Sequence, residues 1–208
     1  VRTVFISTIR RTFMRIIPSI IKSTFFNIIS DAETHVDELV LNPGKDMTRH
    51  RSCTFSDTIL AIMNFSMNRL NTELFYFFAD QLKNVLSKSA FCKQRKKFNN
   101  KLFPYLMKSF YDAFPSPSNY KGYTLALVYL HSVNRDYIIQ EIYAKMILYN
   151  FASLLHRYAE KVRKTPKEKN KYHHKVSFND AVPIARMFLK RNISNKRISY
   201  QNLLSNNI

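Results

Sequence analysis

The stretch SKSAFCKQRKKF, Ser87 to Phe98, holds Lys88 and then Lys93, Arg95, Lys96 and Lys97, four basic side chains broken only by Gln94. Cationic side chains at that density neutralise phosphates, and a Ser or Gln among them can hydrogen-bond a base edge. The chemistry suggested is recognition of a polyanion. On a helical wheel Phe91, Phe98 and Leu102 share one face, while Lys93, Lys96 and Lys97 lie opposite with Ser89 and Asn100 among them. Arg95 flanks the apolar seam, where it can snorkel or pair structurally. From Gln81 through Tyr111 the chain carries eight Lys and Arg and no Asp or Glu. A solvated helix face ordinarily mixes both signs, so DNA binding is preferred here over general RNA or anion binding and over a plain solvated face.

Other chemistries are poorly supplied. Cys53 and Cys92 belong to no CxxC pair and read as two reduced thiols of a cytosolic protein. His173 and His174 lack the spaced Cys or His partners of a zinc site. With two Gly in the whole chain there is no glycine-rich phosphate loop. No metal or cofactor site is expected.

The bulk numbers agree with the basic stretch. The 208 residues contain 33 Lys and Arg against 14 Asp and Glu, a net charge of +19 with pI about 10.0. Such a field attracts nucleic acid first and an anionic membrane surface second. With 46% apolar and 14% aromatic residues the chain should bury a core, one substantial or two small. The N-terminal segment is interrupted by Arg10, Arg11, Arg15 and Lys22, too often for a membrane span. Its Ile9, Phe13, Ile16, Ile17, Ile20 and Ile21 recur at helical spacing, which fits packing on the rest of the protein better than an interfacial membrane helix. No stable membrane association is expected. The chain opens on Val1, which reads as a fragment or an alternative start.

These residues need helices to carry them. The first helix should end near Ser30, followed by a turn at NPGKD, Asn42 to Asp46. A second should start with Ser56 or Asp57 as cap, and a third with Asn71 or Thr72, running to about Leu86. The basic helix should begin near Lys88 and continue through KLFPYLMKSFYDAF, bent at Pro104. Two helices with a tight break at Ser87, the second one basic, outline a helix-turn-helix. Pro115 to Tyr123 reads as a linker, TLALVYL as one short strand, and Arg135 to Val162 as a long helix. A charged loop, Arg163 to Lys175, then leads to a last helix capped by Ser177 or Asn179.

Several of these blocks resemble the insertion-sequence transposases of the IS-four family. MTRHR, Met47 to Arg51, is similar to that family's FTR.R turn, and Asn71, Glu73 and Leu74 match its S.N.EL helix. Ser89, Ala90, Phe91, Arg95, Lys96 and Lys97 match its SxSAFxxxRKK helix, and YKGYTLALV resembles its GYRLLAV strand. Downstream, Gln140, Glu141, Ala144, Tyr149 and Asn150 fit a late QExxAxxxxYN helix, and KYHHKVSFNDAVPIARMFL resembles the C-terminal tail. The resemblance implies a DNA transposase with a ribonuclease-H-like core, in which three carboxylates hold two magnesium ions. The departure is as informative. Tyr129 stands where the first catalytic Asp should follow the strand, and only seven residues, Tyr129 to Arg135, replace the remaining catalytic sheet. One strand alone takes about 5–6 residues. Asp136 and Glu141 are not placed to act as surrogates, and an internal deletion joining the two ends of a transposase is the simplest account.

The expected fold is therefore mainly α: a helical DNA-binding region and C-terminal helices, with at most a short remnant strand. The segments are an N-terminal amphipathic stretch (1–41), the DNA-binding region (42–114), a junction (115–135) and the C-terminal helices (136–208). The expected DNA contacts are Ser89, Lys93, Gln94, Arg95, Lys96 and Lys97, with Arg49 and Arg51 as auxiliary phosphate contacts. No catalytic residue is expected, and the magnesium of the family has no ligands here. The partners implied are DNA at the element ends and a second copy or an intact transposase, in a bacterial cytoplasm at the nucleoid. A regulator that competes for element ends and a decayed product without function are the rival readings. The helices would leave an apolar face exposed where the lost sheet had packed.

Overall fold

A computed structural model describes residues 2–48, 53–81, 83–114, 130–162 and 177–190. The described residues form eight helices: α1 (Arg2–Thr34), α2 (Val36–Leu39), α3 (Phe55–Asn64), α4 (Leu70–Ala79), α5 (Lys88–Arg95), α6 (Leu102–Ala113), α7 (Arg135–Val162) and α8 (Phe178–Leu189). The mainly-α expectation holds, and α7 covers the residues read as the long helix. TLALVYL, apart from Leu130, the linker and the charged loop lie outside the described residues.

α3 is buried along its whole length, every residue from Phe55 to Asn64, because α1, α4, α5, α7 and α8 all pack on it. A helix enclosed on all sides is central, and its buried Ser56, Asp57, Thr58 and Asn64 are accordingly hydrogen-bonded. α7 contributes Ala144, Ile147, Leu148, Phe151, Ala152 and Leu155, a stripe wide enough for α6 on one side and α8 on another. α8 answers with Ala181, Ala185 and Leu189 at four-residue spacing. α1 joins through Ile21, Phe25, Ile29 and Ala32, spaced by one helical turn. Of the stripe expected for α1, Ile21 is buried and Ile20 half-exposed; the side chains from Ile9 to Ile17 lie outside the described residues. Where α1, α6 and α7 meet, Phe25, Phe110 and Phe151 stand with ring centroids 5.7 to 6.1 Å apart. Aromatic pairs of this kind add about 0.5–1.5 kcal/mol each beyond their burial. Among the described residues no helix is long and apolar enough to cross a membrane.

α3 starts two residues earlier than a cap at Ser56 would place it, and three earlier than one at Asp57. Thr54, not Ser56, is its cap: the Asp57 amide donates to Thr54 Oγ1 and the Thr54 amide to Asp57 Oδ2, both at 3.1 Å. Ser56 instead donates to Glu33 Oε2, tying α3 to α1. Thr54→Ala should cost about 1 kcal/mol. It should appear as a lower urea midpoint at unchanged slope, and an unmoved midpoint would mean the capping box is dispensable.

Neither Asn71 nor Thr72 caps α4, which begins at Leu70 after Arg69. Its entry is held by Glu73, whose Oε1 accepts from the Ser66 amide, the Ser66 hydroxyl and the Asn68 amide at 2.6–3.0 Å. α4 also ends at Ala79, well before Leu86. Lys83 reaches back to Asp57 at 2.7 Å, and residues 83–87 carry no helix. The connection to α5 is therefore longer than the three or four residues of a helix-turn-helix, and that outline is corrected.

The basic helix does not run on into the next one. Val40 and Phe98 form an isolated antiparallel bridge, with the Leu41 amide donating to Lys97 O at 2.8 Å and the Asn99 amide to Leu39 O at 3.1 Å. That pairing stops α5 after eight residues and starts α6 at Leu102. Pro104 is then the third residue of α6, where its missing amide is one that a first turn leaves unpaired anyway, so no bend is required.

The apolar face expected from a lost sheet is not found among the described residues; exposed large apolar groups occur in small patches, such as Phe75 with Val85 and Tyr76 with Met187. Cys53 and Cys92 are free, and burial pushes the Cys53 thiol up to about 11. Cys92, half-buried on α5, should react with a disulfide reagent at pH 8 in the native protein, whereas Cys53 should react only on unfolding. Equal rates for the two would contradict this packing.

Candidate nucleic-acid interface

α5 opens with Ser87, whose Oγ accepts from the Ala90 amide at 3.2 Å. Phe91 and Arg95, one turn apart, are its two buried residues and set which side faces the core. Phe91 packs edge-on against Phe65 at the end of α3, 5.7 Å between centroids. The opposite side carries Ser89 and Lys93 into solvent, Lys88 is exposed as the first residue of the helix, and Lys96 follows as the C-terminal cap. Lys97 is half-buried in the turn that the Val40 bridge holds, and Lys101 is exposed just before α6.

Of the eight cations in the acid-free run, three are neutralised from elsewhere: Lys83 by Asp57, Lys108 by Asp112 and Arg95 by Glu141. Lys88, Lys93, Lys96, Lys97 and Lys101 have no carboxylate partner among the described residues. These five give the segment from Lys88 to Lys101 a positive charge that no carboxylate among the described residues offsets. The expected contact set omits Lys88, which stands apart from the KQRKK cluster. Its position in the first turn of a capped helix is the signal that could have found it.

Arg95 is the correction. It is 1% exposed and points into the protein, so it contacts neither phosphate nor base. Its Nε donates to Gln140 Oε1 at 2.7 Å, Nη1 to Glu141 Oε1 at 2.8 Å and Nη2 to the carbonyl of Tyr137. The guanidinium also stacks on the Tyr137 ring, 4.5 Å from its centroid, and the Tyr137 hydroxyl donates to Cys92 O at 3.0 Å. A planar fork with five donors is the one side chain able to fill three acceptors on a single helix face. The physical reason for its burial is this match to α7. Gln94 is half-buried with Oε1 enclosed and unpartnered among the described residues, so its carbonyl end is not free to read a base. Ser89, Lys93 and Lys96 are exposed as expected, and Arg49 and Arg51 lie outside the described residues.

Glu141 is the hub of this buried node. Its other oxygen accepts from the His131 amide at 2.9 Å and lies 3.2 Å from His131 Nδ1, while His131 Nε2 lies 3.0 Å from Asn68 O. The node thus connects α5, α7 and the segment before α4. Burial alone would raise the Glu141 carboxyl, but the His131 hydrogen bonds and the Arg95 charge and hydrogen bond hold it below the usual carboxylate range. Asp57 is likewise held low: burial opposes, and Lys83 and the Thr54 cap prevail. Both groups therefore stabilise the fold above the ordinary carboxylate range of about 4, and that contribution is lost as pH falls below it. Urea midpoints should drop between about pH 5 and pH 3, and Glu141→Gln should flatten that dependence. A midpoint indifferent to pH in this window would contradict the node.

A two-magnesium centre asks for three converging carboxylates. Among the described residues no three His, Cys, Asp and Glu side chains gather to hold a metal. Glu141 is committed to Arg95 and His131, and Asp136 accepts from Asn100 Nδ2 at 3.3 Å at the start of α7. These donors do not fit a magnesium pair. What the lysine segment can do is hold an anionic polymer. No protein-family model matches this chain, nor does any curated protein or solved structure.

Proposed function

We propose that this protein binds DNA as a relative of IS-four-type transposases that keeps the helical DNA-binding region and lacks the carboxylates for strand cleavage. The observation that supports it is the set of five lysines without carboxylate partners among the described residues, Lys88, Lys93, Lys96, Lys97 and Lys101, in a stretch of sequence with no acid between Gln81 and Tyr111. Phosphate contacts from such lysines supply affinity and register, while the exposed Ser89 stands within the same first turn. Substrate DNA carrying element ends, at the nucleoid of a bacterial cytoplasm, is the setting this reading implies. The test is a mobility-shift and nicking assay with DNA carrying candidate terminal repeats, in the presence of magnesium. Salt-sensitive binding without nicking is expected; reproducible strand cleavage would overturn the inactive reading, and absence of binding at low salt would overturn the DNA reading.

A regulator that competes with an intact transposase for element ends is favoured over a decayed product by one feature. Buried apolar residues from all eight helices join a single core cluster. Such a core should unfold cooperatively. A broad, non-cooperative thermal transition of soluble protein would favour the decayed reading over the regulator.

A further inference from the structure

Beside α5 lies a groove whose apolar side chains the DNA reading does not use. It opens between α4 and the segment entering α5, with a volume of about 560 Å³, and is lined by Asn71, Phe75, Val85, Leu86, Lys88 and Ser89. Phe75 and Val85 are 54% and 46% exposed, an aromatic face and an aliphatic neighbour left open to solvent in a chain that buries most of its phenylalanines. No acid lines the groove, and its rim carries Lys88, the first of the uncompensated lysines. An exposed ring costs free energy in water and is worth keeping where something flat covers it. A cationic rim with no facing acid selects an anionic occupant. Aromatic ring, aliphatic floor and ammonium together match an unpaired nucleotide: base on the ring, sugar on the aliphatic side chain, phosphate at the rim.

We propose that this groove is a subsite for single-stranded nucleic acid, in which Phe75 stacks on a base and Lys88 takes the adjoining phosphate. It rests on the reading of the lysine segment as a DNA contact, and extends it from duplex to unpaired strand. Asn71, exposed at the mouth of the groove, can offer its amide to a base edge, but stacking is indifferent to base identity, so weak sequence preference follows.

The chain has no Trp, so Phe75→Trp installs a single fluorophore in the groove. Its emission should be quenched on titration with an oligothymidylate, and Phe75→Ala should weaken oligothymidylate binding roughly 5- to 100-fold. Duplex DNA affinity should change little in either variant, because Phe75 is not among the proposed duplex contacts and both variants keep every lysine. Phe75 is exposed, and far-ultraviolet dichroism with a thermal melt checks that both variants stay folded. Duplex binding retained with no quenching and no loss in Phe75→Ala would overturn this inference and leave the DNA reading standing. Loss of all nucleic-acid binding by the wild type would overturn both. A blue shift of the Trp emission on adding an acidic amphipathic peptide, with none on adding oligonucleotide, would overturn it in favour of a protein partner.

Discussion

Arg95→Ala is expected to cost the folded state about 3–5 kcal/mol, one of the largest effects any single substitution here should have. The change leaves Oε1 of the Glu141 carboxylate, 1% exposed, without its Arg95 donor, and strips donors from Gln140 Oε1 and the Tyr137 carbonyl. An uncompensated buried charge is the expensive element, more than the lost attraction itself. For a chain of 208 residues the loss should lower Tm by roughly 10 °C, at about 2–4 °C per kcal/mol. Arg95→Lys should recover little, since one ammonium cannot serve three acceptors arranged for a planar fork. The double replacement Arg95→Met with Glu141→Leu should be far less harmful than either single change, because it removes both charges together. Thermal melts of the four proteins decide the matter. An Arg95→Ala protein as stable as the wild type would mean that the node does not hold α5 to α7. Below its melting temperature that variant should still bind DNA like the wild type, which separates a packing residue from a contact residue.

The second large effect concerns binding. The triple change Lys88→Ala, Lys93→Ala, Lys96→Ala removes three exposed ammonium groups from the acid-free stretch. If all five lysines of the stretch meet phosphates, the slope of log affinity against log salt should be near −4.5, from about −0.9 per phosphate. The triple variant should lose roughly 3 from that slope and at least tenfold in affinity at moderate salt. Its stability should move little, since substitutions at exposed positions away from buried features usually stay within about 0.5 kcal/mol. Unchanged affinity and slope in a folded triple variant would place the contact surface elsewhere on this positively charged molecule.

The sequence was a good guide where a signal is local. α7 follows from its long apolar stripe, and the start of α5 follows from Ser87 acting on an amide three residues on. It was a poor guide where distant residues decide. The periodicity of FADQLKNVL continues smoothly past Ala79, yet Lys83 is drawn to Asp57, twenty-six positions earlier, and the helix stops. In the same way the helical pattern through Phe98 is broken by a bridge to Val40. KQRKK presents its cations as equivalents, and the wheel alone puts Arg95 only at the edge of the seam. Its inward turn depends on Gln140 and Glu141, some forty-five positions away. The spacing Phe91, Arg95, Phe98 was nonetheless a usable hint, since i, i+4 and i+7 share one face of a helix. The resemblance set these two blocks side by side as motifs, and the buried node supplies a physical reason for their residue types.

The clamp between α5 and α7 also bears on chain length. With α6 packed on α7 and Arg95 fastened to its first turns, the stretch from Phe114 to Asn134 joins two surfaces that are already in contact. For a flexible connection between fixed ends the entropy of closure grows only logarithmically, about 0.6 kcal/mol for each doubling of length. Five doublings would cost about 3 kcal/mol on that scaling, no more than the penalty expected for unpairing Glu141. In polymer terms the length of this connection weighs little against the contacts that hold α5 and α6 to α7.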